Sequence, residues 1–179
     1  ENVEQRVAAV NAAGLVATAS HNPPQYNGIK MCRAGAAPIG RETGLEEIRA
    51  AVEAGPTGPA GPNAGTIGTI VQRDLLPGYA EHLRSLVDLS GIRPLTVVVD
   101  AGNGMAGHTV PAVFGSLNVR LIPLYFELDG TFPNHEANPL EPANLVDLAA
   151  AVREHGADLG LAFDGDADRC WVMDERGES

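Results

Sequence analysis

The stretch from Leu95 to Val99 constrains the fold more than any other part of the chain. It reads as a strand buried on both faces, and such a strand needs a layer of helices on each side. Asp100 and the glycine-rich run Gly102-Asn103-Gly104 follow it directly. After them, helical and strand patterns alternate. Met105 to Phe114 reads as a short helix interrupted by Pro111. Val119 to Pro123 is the next strand, and a loop rich in Pro and Asn covers residues 129–142. Leu145, Leu148, Ala149 and Val152 mark a helix ending at Gly156. Leu159 to Phe163 and Trp171 to Met173 are two further strands. This βαβαβ order predicts a three-layer αβα arrangement with a mostly parallel, mixed sheet.

The front half is punctuated differently. Val3, Val7 and Val10 share one face of a helix over residues 3–13. Leu15 to Thr18 and Ile29 to Cys32 read as strands on either side of a loop carrying Ser20. Thr43 and Glu46 fit a capping box opening a helix to about Ala54. Residues 55–65 are rich in Gly and Pro and read as a loop, residues 66–71 are β-prone, and Asp74 can cap a helix to about Leu89. A boundary near Gly91 divides the chain into residues 1–90 and 91–179.

Charge narrows the function classes. The net charge is −11, and the chain's one lysine is Lys30. Nucleic acid and anionic membranes are poor partners for such a surface. Nor does any apolar run approach the ~20 residues of a membrane span. Cys32 and Cys170 form neither a metal spacing nor a disulfide framework, which favours a reduced, cytoplasmic chain.

Three motifs carry chemistry. Gly102-Asn103-Gly104-Met105-Ala106-Gly107 matches a dinucleotide fingerprint between strand and helix, with Glu127 or Asp129 as a ribose acceptor. Against it, Asp100 would set a carboxylate beside a pyrophosphate, and a tight βα turn explains the glycines equally well. Asp164, Asp166 and Asp168 alternate, so a curled loop can aim all three at one hard cation such as Mg²⁺, Ca²⁺ or Mn²⁺. An EF-hand is excluded because Arg169 stands where its loop needs Gly; a solvated acidic turn is the plain alternative. Ser20 lacks a nucleophile elbow. As a phosphate carrier it would need a divalent cation, a lysine and backbone donors, and the chain offers candidates for each.

Taken together, these motifs resemble a known family. Thr18-Ala19-Ser20-His21-Asn22-Pro23 with Asn27-Gly28-x-Lys30 is similar to the active-site serine loop of the α-D-phosphohexomutases. Asp164-Gly165-Asp166-Ala167-Asp168-Arg169 resembles their metal-binding loop, with Ala where many members have Gly. Asp100 to Gly104 and Phe132-Pro133-x-His135-x-x-Asn138-Pro139 resemble their second domain. The similarity is greatest to the bacterial phosphomannomutase/phosphoglucomutase group.

The resemblance implies two consecutive domains of that family, the first incomplete. It implies interconversion of hexose 1-phosphate and 6-phosphate through a phosphoserine and a hexose 1,6-bisphosphate. Ser20 would carry the phosphoryl group. Mg²⁺ would be held by Ser20, Asp164, Asp166 and Asp168. Lys30 would steady the phosphoryl group or move a proton, His21 would support the serine loop, and Arg169 and Asn22 would contact phosphate. Mannose or glucose phosphate is the expected substrate. A phosphoglucosamine mutase and a non-catalytic dinucleotide- or metal-binding module are the alternatives. Family members have about four domains, so a fragment lacking domains 3 and 4 is expected to turn over little or no substrate alone.

Overall fold

The computed structural model of the chain describes residues 12–55 and 69–179. The helix expected over residues 3–13 lies outside the described residues apart from its last two positions, which are not helical, and residues 56–68 lie outside as well. Two compact units divide the chain. One comprises residues 1–16 and 30–75, the other residues 17–29 and 76–179. The segment carrying Ser20 therefore groups with the second unit, as does the helix over residues 76–86.

In the first unit, β1 (Gly14–Ala17), β2 (Ile29–Arg33) and β3 (Ala37–Pro38) form one sheet in that order. β2 and β3 pair antiparallel, with Cys32 opposite Pro38. Helix α1 (Leu45–Ala54) follows. Its N-cap is Gly44, without a side-chain cap, which corrects the capping box expected from Thr43. The Thr43 hydroxyl instead accepts the Gly40 amide at 2.8 Å and closes a preceding 3₁₀ turn. Residues 69–71 are not extended into a strand.

The second unit carries the predicted architecture. After α2 (Leu76–Leu86) come β4 (Leu95–Asp100), α3 (Ala106–Phe114), β5 (Val119–Leu124), α4 (Val146–His155), β6 (Leu159–Phe163) and β7 (Cys170–Met173). The sheet order is β5-β4-β6-β7. β4 runs parallel to both neighbours, and β7 closes an antiparallel hairpin on β6. Val97 and Val99 face Ala106 and Val110 of α3. Val98 faces the other way, onto Leu148 and Val152 of α4. Alternation along the central strand thus supplies both cores. Each fully buried valine contributes about 1.5–3 kcal/mol of transfer free energy.

Two further expectations change. Pro111 does not interrupt α3, which runs continuously through it. The proline forgoes one helical hydrogen bond, and burial of Ala106 and Val110 offsets that loss. Helix α2 stops at Leu86, so Val87 lies beyond its end and is exposed. Arg84 of α2 donates to the Ala112 and Val113 carbonyls of α3 at 2.8 and 3.2 Å, tying the two helices together.

No helix among the described residues is long and apolar enough to cross a membrane. Cys32 and Cys170 are both unbridged.

Candidate active site

Parallel pairing of β4 and β6 brings the carboxyl ends of both strands to one edge of the sheet. Open α/β sheets bind their ligands at this edge. The loop after β6 is the turn of the β6–β7 hairpin, closed where Phe163 pairs with Cys170. It holds all three aspartates. Ala167 adopts a left-handed conformation there, with φ 59°, and its amide donates to the Asp164 carbonyl at 3.0 Å. This curl turns alternate carboxylates inward. One oxygen from each of Asp164, Asp166 and Asp168 lies within 4.8 Å of the others.

Their environments differ. Asp164 is fully buried, Asp166 half-buried and Asp168 exposed. Asp164 Oδ1 accepts the Arg169 amide at 3.0 Å, and Oδ2 accepts the Arg169 side chain, with Nη2 at 2.6 Å. That carboxylate keeps the guanidinium more firmly protonated than usual. Arg169 Nε also lies 3.5 Å from Asp168.

The serine loop meets this hairpin. Ser20 Oγ donates to Asp164 Oδ2 at 3.1 Å and accepts from Arg169 Nη2 at 2.8 Å. His21 Nδ1 stands 3.4 Å from Ser20 Oγ and also contacts the Arg169 guanidinium. Ser20 is itself left-handed, with φ 55°. Strain of this kind persists only where surrounding contacts impose it. Here the Ser20 carbonyl packs so close to Gly165 that a Cβ on that glycine would collide with it.

Thr18 is a residue that sequence reasoning left within its motif without a role. Its hydroxyl donates to Asp166 Oδ2 at 2.7 Å and accepts the Ser20 amide at 2.9 Å. One hydroxyl thus links the serine backbone to the second acid. Its place two residues before Ser20 was a weak signal, but the partner lies far away in sequence. Asn22 turns into its own loop, with Nδ2 donating to the Ala19 carbonyl at 2.8 Å. Lys30 lies on β2, exposed, in the first unit.

The turn after β4 is not a dinucleotide cradle. Its amides are already committed: Gly102 to Asp100 Oδ1, Asn103 to the Tyr125 carbonyl, Gly104 to the Ala101 carbonyl and Met105 to the Gly165 carbonyl. A pyrophosphate would find these donors already taken. The glycines serve close packing instead. A Cβ on Gly104 would lie 2.7 Å from the Gly165 carbonyl oxygen and 2.9 Å from its Cα. Three backbones are therefore stacked: the β4 turn, the aspartate loop and the serine loop.

The donor set suits a hard divalent cation. It consists of carboxylate oxygens without nitrogen or sulfur, the ligand chemistry of Mg²⁺, Ca²⁺ and Mn²⁺. Three carboxylates against one guanidinium leave about two negative charges for a cation to balance.

Known proteins show the same organisation. Residues 77–177 match the family model for the α/β/α domain II of phosphoglucomutase/phosphomannomutase, and residues 5–58 match that for domain I. A phosphomannomutase of Vibrio cholerae is 42% identical over 170 residues, covering 92% of this chain and 36% of the relative. A phosphomannomutase/phosphoglucomutase of Pseudomonas aeruginosa is 42% identical over 165 residues, covering 92% of this chain and 34% of its own length. The crystal structure of a phosphoglucomutase/phosphomannomutase family protein from Burkholderia thailandensis superimposes with a TM-score of 0.76 at 39% identity, over 93% of this chain and 34% of that one. The chain thus spans about a third of the length of these relatives. The domain II match alone takes in more than half of its residues and includes the whole aspartate hairpin, so the chain belongs to the phosphoglucomutase/phosphomannomutase family.

Proposed function

We propose that this chain supplies the phosphoserine and metal loops of a phosphohexomutase, with residues of domain I in its front part and domain II behind. The reaction is interconversion of a hexose 1-phosphate and 6-phosphate, of mannose or glucose, through a hexose 1,6-bisphosphate. One observation carries this reading: Ser20 Oγ sits between Asp164 Oδ2 and Arg169 Nη2, beside three converging carboxylates. That is an arrangement for holding charge, and phosphoryl transfer depends chiefly on positioning and charge neutralisation.

In the resting state the phosphoryl group resides on Ser20 Oγ. A free sugar hydroxyl attacks the phosphorus, the phosphorus–Oγ bond breaks, and the hydroxyl proton leaves to a base. The base's proton balances the one that Ser20 Oγ takes up on leaving, and the restored hydroxyl hydrogen-bonds to Asp164 Oδ2, the contact seen here. After the bisphosphate turns over, its other phosphate returns to Ser20. Arg169 lies within hydrogen-bond reach of the serine oxygen throughout and pairs with the phosphoryl oxygens. His21, against both Ser20 and Arg169, steadies the loop. Lys30 keeps the role that the resemblance implies, steadying the phosphoryl group or moving a proton, and Asn22 keeps the loop in shape.

A phosphoserine adds about two negative charges to a cluster already short of positive ones. Asp164, Asp166 and Asp168, with an oxygen on Ser20, would hold Mg²⁺, which supplies charge neutralisation at the phosphoryl oxygens. Sugar recognition and the clamp on the non-reacting phosphate are assigned to domains that the family's longer members carry. A cytoplasmic setting is assigned, where thiols such as Cys32 and Cys170 stay reduced.

Intact-mass measurement after incubation with glucose 1,6-bisphosphate and Mg²⁺ tests the assignment. One phosphate is expected on the chain, mapped to Ser20 and absent in Ser20→Ala. Phosphate on another residue, or none on a longer active protein containing this sequence, would overturn it.

A further inference from the structure

Asp100, at the end of β4, is 1% exposed, and the proposed reaction leaves it without a role. Its two oxygens are both engaged. Oδ1 accepts the Gly102 amide at 2.8 Å, and Oδ2 lies 2.9 Å from His135 Nε2. The other ring nitrogen, Nδ1, lies 2.9 Å from the Glu136 carbonyl oxygen. An imidazole with an acceptor at each nitrogen needs a proton on each. The geometry is therefore that of an imidazolium, and the Asp100 carboxylate accordingly raises its pKa above the usual range.

The segment around His135 holds the β4 turn at two points. His135 holds Asp100, and Asn134 Nδ2 donates to Asn103 Oδ1 at 2.8 Å. The turn in turn backs onto the aspartate loop. Gly104 packs against Gly165, and the Met105 amide donates to the Gly165 carbonyl at 3.0 Å. Gly165 lies between two of the three aspartates.

We propose that His135 is a positioning residue for the aspartate loop: through Asp100 and the Ala101–Gly104 turn it sets the backbone of Gly165 and so the spacing of the carboxylates on either side. This rests on the aspartate loop being the metal site proposed above. His135 touches none of the three acids, so its effect travels through packed backbone. The groups that face it are Asp100 from β4, the Tyr125 ring after β5, nearly perpendicular to it at a centroid distance of 5.3 Å, and, as a more distant charge, Asp147 of α4. Both acids favour the charged ring.

The consequence runs against ordinary carboxylate chemistry. Carboxylates are fully ionised from about pH 6 upward, so their metal affinity should then be flat. Here affinity is expected to fall several-fold as His135 loses its second proton.

The test is a pH titration of the metal-free 179-residue chain by NMR, together with calorimetric Mg²⁺ binding. The Met105 and Gly165 amide resonances should shift with the same midpoint as the His135 ring. Mg²⁺ affinity should decline across that midpoint. His135→Gln should abolish the shift of both amides and hold Mg²⁺ affinity near the wild-type high-pH level from about pH 6 upward. Amides that stay still while His135 titrates would overturn the proposal, and this measurement needs no variant to fold. So would a His135→Gln chain that keeps the wild-type pH dependence. Asp166→Asn separates the two readings: it should abolish Mg²⁺ binding without touching the amide titration. A wild-type chain that binds no Mg²⁺ would sink the metal reading alone, and the coupling of His135 to Gly165 would still be decided by the amides.

Discussion

The loops after β4 and β6 begin alike and end differently. Each opens on an aspartate with almost no solvent exposure, Asp100 at 1% and Asp164 at 0%. In each, Oδ1 accepts a backbone amide from its own turn, Gly102 in one and Arg169 in the other. In each, Oδ2 faces a cationic side chain, His135 or Arg169. The resemblance stops there. His135 is largely covered, with 15% of its side chain exposed, and the turn's amides are spent within the turn or on neighbouring loops. Arg169 is 39% exposed, and two more carboxylates and a serine hydroxyl gather beside it. One local design thus serves two ends. Closed off, it is a support; opened to solvent and given surplus negative charge, it becomes a place for a ligand.

The largest test of that contrast removes each aspartate in turn. Asp100→Ala strands a covered imidazolium and should cost about 3–5 kcal/mol, read from urea unfolding. Asp164→Ala should cost clearly less, because Arg169 can turn to water and two mutually repelling acids are relieved. Equal losses would erase the distinction. Next comes Gly104→Ala. Its methyl meets backbone of Gly165 that cannot swing aside, and about 1–3 kcal/mol of overpacking is expected. A chain as stable as wild type would show that the two loops are not packed as described.

A pH series sharpens the comparison further. His135 has its pKa raised in the folded chain by Asp100. Its contribution to stability is therefore complete below the unfolded value of about 6.5 and is lost as pH rises through the higher folded value. Unfolding midpoints should fall over that window and should flatten in His135→Gln. The smallest effect belongs to Ala167→Gly. The left-handed backbone disfavours alanine by about 1–2 kcal/mol, while the lost methyl, partly buried against the α3 core, returns about 0.8 kcal/mol. A net gain below about 1 kcal/mol is expected in the same unfolding measurement.

Much of the second unit could be read before any coordinates. β4 announced itself because a strand covered on both sides leaves no polar face, and every strand and α-helix from Leu95 to Met173 followed within a residue or two, although the 3₁₀ turn Pro142–Leu145 did not. The front was harder. Thr43 carried the right residue type for a cap, yet its hydroxyl was drawn back to Gly40. Residues 69–71 had strand-like side chains but pair with no strand among the described residues. Hydroxyl direction and strand pairing depend on partners that local sequence does not specify.

The sequence by itself determined the kinds of chemistry available: alternate acids on a loop after a strand, a serine on a loop before one, and a guanidinium beside the acids. These follow from spacing and residue type, which are local. Tertiary structure alone decided that Thr18 serves Asp166, that Gly104 is packed on Gly165 while its turn's amides are spent within the protein, and that His135 lies under the turn. Each of those depends on packing between segments distant in the chain, where shape and charge choose the partner.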